Sequence, residues 1–147
     1  MTIWAANADD RARVIELWRI TNLIRPWNDP VADFDRALQT ATARIFLMMA
    51  ERRPVATVMA GFDGHRGWIY YLAVDPGFGG RGYARKLLAH AEDWLRNEGC
   101  PKVELMVRDG NPAAGFYEHL GWTREPVEVY SRRLVQGGPG RSMSEPR

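Results

Sequence analysis

Glycines cluster in one short stretch of the chain, directly after an apolar run. The run Trp68 to Val74 predicts a buried strand, and Pro76 ends it because proline cannot donate to a sheet ladder. Four of the six residues from Gly77 to Gly82 are glycine, and a helical pattern begins immediately after them. Backbone N–H groups at a helix N-terminus bind anions, since they lack intrahelical partners and lie at the positive end of the helix dipole. The stretch therefore predicts a site for a phosphate-bearing ligand.

Three kinds of phosphate-binding loop use glycines in this way. The dinucleotide pattern G-x-G-x-x-G is present as Gly77, Gly79 and Gly82. A P-loop would end in Gly-Lys-Ser/Thr, whereas Gly82 is followed by Tyr83, which disfavours that alternative. The pyrophosphate loop of acetyl-CoA-dependent acyltransferases has the form Arg/Gln-x-x-Gly-x-Gly/Ala, and the stretch ending at Ala84 satisfies it except at Gly79. The loop alone does not decide between the first and the third alternative.

The composition is that of an ordinary soluble globular protein. Of the 147 residues, 46% are hydrophobic and 26% are charged. We predict a single domain over residues 1–135 and a flexible tail over residues 136–147, where Gly, Ser, Pro and Arg dominate without apolar periodicity. A formal net charge of +2 is too small to indicate a nucleic-acid partner.

Cysteine usage and the N-terminal residues indicate the cellular compartment of the protein. Its single cysteine, Cys100, excludes an internal disulfide and fits a reducing compartment. The first residues lack the basic region and apolar core of a signal peptide, and no apolar run reaches the roughly 20 residues that span a membrane. We therefore expect a cytoplasmic protein without a membrane or nucleic-acid partner. Its oligomeric state, including a homodimer, stays open.

Hydrophobic periodicity predicts the elements that must position the glycine loop. Before it, a short strand over 3–6 leads to a helix that ends near Ile20, and a second helix follows over 31–40. Three strands then occupy residues 44–50, 55–62 and 68–74. Because tight polar turns connect these strands, they must be antiparallel neighbours.

The elements after the loop complete one parallel crossover. An apolar stripe predicts a long helix to about Glu98, and a strand over 102–108 follows it. A strand reached through such a helix should lie parallel to the preceding one. A short helix after Pro112 and a last strand over 127–135 complete the chain. The predicted order is β-α-α-β-β-β-α-β-α-β, which gives a mixed, mostly antiparallel sheet of the α/β (α+β) class.

This order disfavours a dinucleotide-binding fold. There the glycine loop joins the first strand to a helix within repeated parallel units, whereas here only one βαβ unit follows the loop. An acidic residue, Glu104, does lie roughly 20 residues after the loop, as the dinucleotide motif requires. It stands in the middle of a predicted strand, however, rather than at its end. A dinucleotide-binding protein is therefore the least favoured alternative.

Two blocks of the sequence together resemble one enzyme family. The first is the segment Leu72 to Pro76 with the glycine loop after it. The second is Asn111 to Trp122, which is similar to a family segment of the form Asn…Tyr-Glu-x-Leu-Gly-Phe. On these blocks the chain resembles the GNAT family of N-acetyltransferases over residues 2–135, and segments 25–30 and 62–67 further resemble its bacterial YpeA-type branch. The resemblance implies the GNAT fold, with helices on both faces of the sheet.

The resemblance also implies the ligands. Acetyl-CoA is the expected co-substrate, no metal is expected, and the acceptor is a small-molecule or protein amine. The family usually has Arg or Gln where this chain has Gly79. Backbone N–H groups are the principal phosphate ligands in such a loop, so we expect binding to persist, with Arg81 or Arg85 partly compensating. The implied acetyl-CoA-binding residues are Leu72, Ala73, Val74, Gly79, Gly80, Arg81, Gly82, Tyr83, Ala84, Asn111 and Tyr117.

Acyl transfer to an amine requires an oxyanion donor and an acid. The resemblance assigns the donor to a backbone N–H between Leu72 and Val74, and the acid to Tyr117. A phenol of pKa ~10 can protonate a thiolate of similar basicity with little penalty. The alternative role of Tyr117 is that of a core aromatic residue. Asn111 can cap a helix, contact acetyl-CoA, or do both.

The base is not fixed by the sequence. Some relatives carry a glutamate at the place of Met106, so the usual base is displaced or missing here. Glu104 and His65 are the candidate catalytic bases, and a water chain is a third alternative.

The acceptor side is assigned by the resemblance to the loop between the first two helices. Its candidate residues are Arg25, Trp27, Asn28 and Asp29. The leading hypothesis is an acetyl-CoA-dependent N-acetyltransferase that acts on a primary amine. A non-catalytic acyl-CoA-binding sensor on the same fold is the alternative, because the strand glutamate is absent.

Overall fold

The computed structural model describes residues 1–135, and the flexible tail predicted for residues 136–147 lies outside them. Short 3₁₀ turns at Ala8–Asp10 and Pro76–Phe78 precede the first and third helices of the described part. In chain order its strands and helices are β1 (Ile3–Ala5), α1 (Arg11–Ile20), α2 (Pro30–Gln39), β2 (Ala43–Ala50), β3 (Arg53–Phe62), β4 (Gly67–Val74), α3 (Tyr83–Asn97), β5 (Val103–Leu105) and α4 (Ala113–His119).

The strands form one sheet in the order β1-β2-β3-β4-β5. The pairs β1–β2, β2–β3 and β3–β4 are antiparallel, and for β2, β3 and β4 the short connections predict this. β5 lies parallel to β4, as the crossover through α3 predicts. The mixed, mostly antiparallel α/β fold class is therefore confirmed.

Helices cover both faces of the sheet. On one side, called the α1/α2 face, the two helices bury Val14, Trp18 and Phe34 against the sheet residues Leu47 and Ala73. On the opposite side, called the α3 face, the apolar stripe of α3 packs against β3. The i, i+4 spacing within this stripe places its side chains on one side of the helix. The buried residues of the stripe are Leu87, Leu88, Ala91 and Leu95, which lie 0–2% exposed.

β4 carries a bulge near its end. The register against β3 shifts between Thr57 and Met59, so that Val58 stands opposite both Tyr71 and Leu72. Tyr71 adopts φ +52°, which lies in the left-handed region that a bulky residue rarely enters. The bulge bends β4 directly before the turn that leads to the glycine loop.

The strand predicted over 127–135 does not form, and β5 is shorter than predicted. Neither alternating set of residues in 127–135 is apolar throughout, because Arg132 and Arg133 interrupt both of them. Without an apolar face, the segment would bury little apolar surface by extending the sheet. Tyr130 and Leu134 are 90% and 89% exposed. The segment instead contacts the rest of the molecule through side chains such as that of Arg133.

Candidate active site

The glycine loop begins from a fixed turn. The carboxylate of Asp75 accepts a hydrogen bond from the Gly77 N–H at 2.8 Å and another from the Arg53 guanidinium at 2.5 Å. Asp75 is only 8% exposed. The Arg53 guanidinium, followed by the Gly77 N–H, holds the pKa of the Asp75 carboxyl below its usual range, so this turn carries a buried carboxylate at neutral pH.

The loop ends at an open helix N-terminus. Gly80 and Gly82 adopt φ +74° and +76°, a conformation that glycine enters without the steric cost paid by other residues. Gly82 is the N-cap residue of α3, and no side chain caps the N–H groups of the first turn. The Lys86 N–H donates to the Gly82 carbonyl at 3.0 Å. The N–H groups of residues 83–85 therefore lie ahead of the first intrahelical bond. They form the donor set that a pyrophosphate requires.

Aromatic and cationic side chains surround the loop. Tyr83 is buried and stacks on Phe78 with ring centroids 6.4 Å apart, which anchors the start of α3. The guanidinium of Arg81 lies 4.7 Å from the centroid of the Phe78 ring. Arg85 and Lys86 are exposed in the first turn of α3. The positive charge at the loop agrees with the phosphate-bearing ligand that the sequence predicts.

Gly79 differs from its neighbours in the loop. Its φ of −67° and ψ of 160° are open to any residue. A Cβ at this position would meet only the Pro76 carbonyl oxygen, at 3.7 Å, which is an ordinary van der Waals contact. The backbone therefore leaves room for the Arg or Gln side chain that the family resemblance implies at this position.

The end of β4 forms one side of an opening in the sheet. The parallel pairing of β4 with β5 ends at Ile69 and Leu105. Beyond this point the backbone from Leu72 to Val74 has no register partner on β5 among the described residues. Leu72 and Val74 pack toward the α3 face. The expected oxyanion donors thus lie where the two strands separate.

Tyr117 lies on α4, on the α3 face of the sheet. It is half-buried and packs against the same core as Leu72 and Val74. Its ring meets Trp122 edge-on, with centroids 5.9 Å apart. Burial raises the pKa of the Tyr117 phenol above its ordinary value, so the phenol keeps its proton at neutral pH. Asn111 accepts a hydrogen bond from the Ala113 N–H at 2.8 Å and thus has the capping role predicted for it.

The loop between α1 and α2 meets the chain beyond β5. The Arg108 guanidinium lies 5.2 Å from the centroid of the Trp27 ring, and Arg133 donates to the Asn28 side chain at 3.3 Å. The carboxylate of Asp29 instead caps α2, and Arg25 donates to the Asn22 carbonyl of its own loop at 2.8 Å. Of the expected acceptor-side residues, Trp27 and Asn28 therefore contact the chain beyond β5.

The two candidate bases lie toward the other end of β4. Glu104 pairs with Trp68, which precedes Tyr71 by three residues, or ~10 Å along the strand. The Glu104 carboxylate contacts the Arg66 guanidinium at 3.4 Å. His65 is exposed in the turn between β3 and β4, further still from the bulge. The strand register thus places the backbone of both residues away from the bulge.

Sequence reasoning missed several residues that hold the site. Thr57 donates to the Tyr71 carbonyl at 3.2 Å, and the Tyr71 hydroxyl donates to Asp33 at 2.8 Å. Arg53, whose guanidinium contacts Asp75 in the turn before the glycine loop, was also not predicted. A polar threonine within the apolar run of β3 and consecutive tyrosines in β4 were the available signals, but neither reveals its partner.

Residues 1–135 contain neither a metal-binding cluster nor a membrane-spanning helix. No group of three or more His, Cys, Asp or Glu side chains there could hold a metal ion. No helix in the same range is long and apolar enough to cross a membrane.

The glycine loop, the bulged strand and the Tyr117 helix all lie within the residues that one family model matches. A family model described as the acetyltransferase (GNAT) family matches residues 13–122. The chain therefore belongs to the acetyltransferase (GNAT) family and is an N-acetyltransferase, which confirms the enzyme class that the two sequence blocks predict.

Bacterial relatives match almost the whole chain. An acetyltransferase of Yersinia pestis (strain Pestoides F) is 40% identical over 136 residues, which cover 92% of this chain and 96% of that protein. An acetyltransferase of Pectobacterium atrosepticum is 41% identical over 137 residues, covering 92% and 97%.

Solved structures share the fold. The aminoglycoside N-acetyltransferase AAC(6')-Iy, in complex with the bisubstrate analogue CoA-S-monomethyl-acetylneamine, has a TM-score of 0.77 at 22% identity and covers 90% of this chain and 98% of its own. The glucosamine-6-phosphate N-acetyltransferase of Arabidopsis thaliana has a TM-score of 0.73 at 19% identity, covering 91% and 98%. At these identities the likeness concerns the fold.

Proposed function

We propose that the protein transfers an acetyl group from acetyl-CoA to a primary amine by direct attack of the amine, with Tyr117 as the general acid. The observation that carries this proposal is the continuity of two anion-binding features. The open N-terminus of α3 and the unpaired edge of β4 are joined through the turn at Asp75. A single ligand with a pyrophosphate at one end and a reactive carbonyl at the other fits both.

Acetyl-CoA would be held mainly by backbone groups. The N–H groups of residues 83–85 and the glycines before them would bind its pyrophosphate, with Arg81 and Arg85 adding positive charge. Leu72, Ala73 and Val74 would line the path between the strands, and Asn111 would lie at the start of α4. When bound, acetyl-CoA supplies the acetyl thioester and a thiolate leaving group.

The chain's own residues would then stabilise the negative charge that develops on the acetyl oxygen and protonate the departing sulfur. A backbone N–H at the open edge of β4 would donate to the acetyl oxygen, where negative charge accumulates. The Tyr117 phenol holds a proton through neutral pH, because burial raises its pKa, and would give it to the departing sulfur. The side chains of Leu72 and Tyr117 belong to the same core cluster, on the α3 face of the sheet.

Removal of the amine proton would proceed through water. Glu104 lies on β5 but is placed ~10 Å along the sheet from the bulge and beside Arg66. We therefore propose that Glu104 acts as base through bridging water, since it cannot contact the amine directly at that distance. His65 is the weaker candidate because it lies in the exposed turn.

The acceptor would approach from the α1/α2 side of the opening, between the loop that holds Trp27 and Asn28 and the chain beyond β5. Arg25 and Asp29 would complete this wall from the same loop. A small molecule and a protein amine both fit these observations. On the same sequence grounds we place the protein in the cytoplasm and regard a homodimer as a further proposal.

A non-catalytic acyl-CoA-binding sensor, the alternative that the sequence left open, is disfavoured by membership of the N-acetyltransferase family. Two features still argue for it: Met106 stands where the family resemblance implies a glutamate in some members, and the carboxylate of Glu104 contacts Arg66. Such a sensor would bind acetyl-CoA through the same loop without turnover.

A turnover screen separates the two functions. The purified protein is incubated with acetyl-CoA and a panel of amines that covers amino acids, amino sugars, polyamines and peptides, and free thiol release is followed. Acetylation of at least one amine, verified by mass spectrometry of the product, is expected. Calorimetric binding of acetyl-CoA without transfer to any acceptor would support the sensor, and absence of binding would reject both candidates.

A further inference from the structure

Two fully buried polar side chains connect α1 to the bulge in β4. The indole N–H of Trp18 donates to the hydroxyl oxygen of Thr57 at 3.1 Å, and both residues are 0% exposed. The Thr57 hydroxyl in turn donates to the backbone carbonyl of Tyr71 at 3.2 Å. This chain of donors ends on one specific carbonyl group of β4. Buried polar groups form such hydrogen bonds because an unpaired one is costly.

The side chain of Tyr71, the residue of β4 that carries this carbonyl, makes two further contacts. The Tyr71 ring stacks on Trp18, with centroids 3.8 Å apart and planes inclined by 13°. Its hydroxyl donates to the Asp33 carboxylate of α2 at 2.8 Å. Tyr71 adopts φ +52°, which an L-residue avoids unless its surroundings enforce it. Contacts from β3, α1 and α2 thus fix the backbone of a single residue.

Fixing the Tyr71 carbonyl also fixes the next N–H. The carbonyl of Tyr71 and the N–H of Leu72 belong to one trans, planar peptide unit, in which the two bonds point in opposite directions. Thr57 lies on β3, so its hydrogen bond draws the carbonyl toward β3. The Leu72 N–H must then point away from β3, toward the side where β5 has separated from β4.

We propose that Thr57 is a positioning residue for acetyl transfer: with Trp18 behind it, Thr57 orients the Tyr71–Leu72 peptide so that the Leu72 N–H is aimed at the acetyl oxygen. The inference rests on the proposed function and adds to it the particular donor and the side chains that aim it. Thr57 touches no reacting atom and acts only through this peptide.

Thr57→Val tests the inference, because valine has a similar shape and lacks the hydroxyl. In the free protein, ¹⁵N relaxation should show the Leu72 N–H order parameter falling from about 0.85 to below about 0.6. In the enzyme, kcat should fall by about 10- to 100-fold, which is less than the loss of an oxyanion donor. The Kd for CoA, which depends on the glycine loop, should change by less than about twofold.

Two further variants separate positioning from stability. Thr57→Ser keeps the hydroxyl and should restore both the order parameter and kcat. Val14→Ala weakens the same core cluster at a fully buried position without touching the peptide, and should lower the melting temperature while leaving Leu72 rigid. If Thr57→Val fails to fold, Trp18→Phe removes the indole N–H and keeps the aromatic ring, with a smaller fall in kcat expected.

Three results would overturn the inference: an unchanged kcat in Thr57→Val, an unchanged order parameter at Leu72, or no rescue by Thr57→Ser. Failure of the proposed function is distinguishable from these results. In that case the wild-type protein transfers no acetyl group to any amine, while the order parameter still reports whether Thr57 holds the peptide.

Discussion

Arg53 donates to the Asp75 carboxylate at 2.5 Å and thereby ties the first residue of β3 to the turn from which the glycine loop departs. The same carboxylate caps the Gly77 N–H at 2.8 Å. A surface-reaching arginine and a nearly buried carboxylate thus determine where the loop starts, although neither belongs to the loop. Breaking the Arg53–Asp75 ion pair should therefore lower both the affinity for the ligand and the stability of the fold at acid pH.

Replacing Arg53 by Gln tests that coupling. Because the guanidinium lowers the pKa of Asp75, the carboxylate stabilises the fold above its unfolded-state pKa, and this stabilisation is lost as pH falls through the lowered folded-state value. Arg53→Gln should therefore unfold at a higher pH on acid titration and weaken CoA binding by about two- to fivefold. The control is Arg52→Gln, which removes the same charge from the neighbouring position. Equal behaviour of the two variants would disprove the coupling.

Introducing a side chain at Gly79 should strengthen ligand binding. The backbone at this position suits any residue, and its Cβ would have an ordinary contact at 3.7 Å. Gly79→Arg adds a charge-assisted donor beside the loop, and we expect the CoA Kd to fall by about threefold, measured by calorimetry. The matched control is Gly80→Arg, where φ is +74° and the left-handed conformation costs roughly 1–2 kcal/mol for a residue other than glycine. Weaker binding by Gly79→Arg would show that this side chain cannot reach the ligand.

The features that sequence reasoning predicted depend on local chemistry. The stripe of α3 follows helical periodicity, and the short turns between β2, β3 and β4 impose antiparallel pairing whatever lies elsewhere. The glycine loop is equally local, because glycine alone enters the conformations of Gly80 and Gly82 without steric cost. The predicted strand over 127–135 failed, since Arg132 and Arg133 interrupt both of its alternating sets and leave it without an apolar face.

The features that were not predicted depend on contacts between distant parts of the chain. Arg53 and Asp75 are 22 residues apart, and Tyr71 and Asp33 are 38 apart. No local pattern marks the bulge, because a tyrosine with positive φ reflects its tertiary contacts rather than its own propensity. The position of Glu104 beside Arg66 likewise follows from strand register, which periodicity alone does not give.

Tyr117→Phe should lower kcat by about 10²-fold while CoA affinity stays within about twofold, because only the proton donor is lost. Burial raises the pKa of Tyr117, so the phenol stays protonated as pH rises through neutrality. The wild-type pH profile should therefore rise with deprotonation of the amine and show no falling limb below the ordinary phenol pKa of ~10. Tyr130→Phe, at a residue that is 90% exposed, is the control. A fully active Tyr117→Phe variant would remove Tyr117 from the mechanism.

Glu104→Gln should lower kcat by about 10-fold at neutral pH, a modest effect because the carboxylate acts through water. The loss should shrink as pH approaches the amine pKa of ~10, where the acceptor is already neutral. His65→Gln is the comparison and should retain wild-type turnover at every pH, since His65 lies in the exposed turn. Full activity of Glu104→Gln across the pH range would leave amine deprotonation to solvent alone.

The acceptor side should favour amines that carry a negative charge. Positive charge is concentrated here, because Arg108 lies over Trp27, Arg133 contacts Asn28 and Arg25 belongs to the same loop, in which Asp29 is the one acidic residue. Amines with a carboxylate or phosphate should therefore show lower KM values than polyamines.

Arg108→Gln is the variant that tests this preference. It should raise the KM of an anionic acceptor by about fivefold, leave the KM for acetyl-CoA unchanged and reduce the dependence of acceptor KM on salt. Arg124→Gln removes an equal charge from the exposed segment after α4 and should leave acceptor KM unchanged. If polyamines are the better acceptors, or if the two arginine variants behave alike, the arginines beside Trp27 do not select the acceptor.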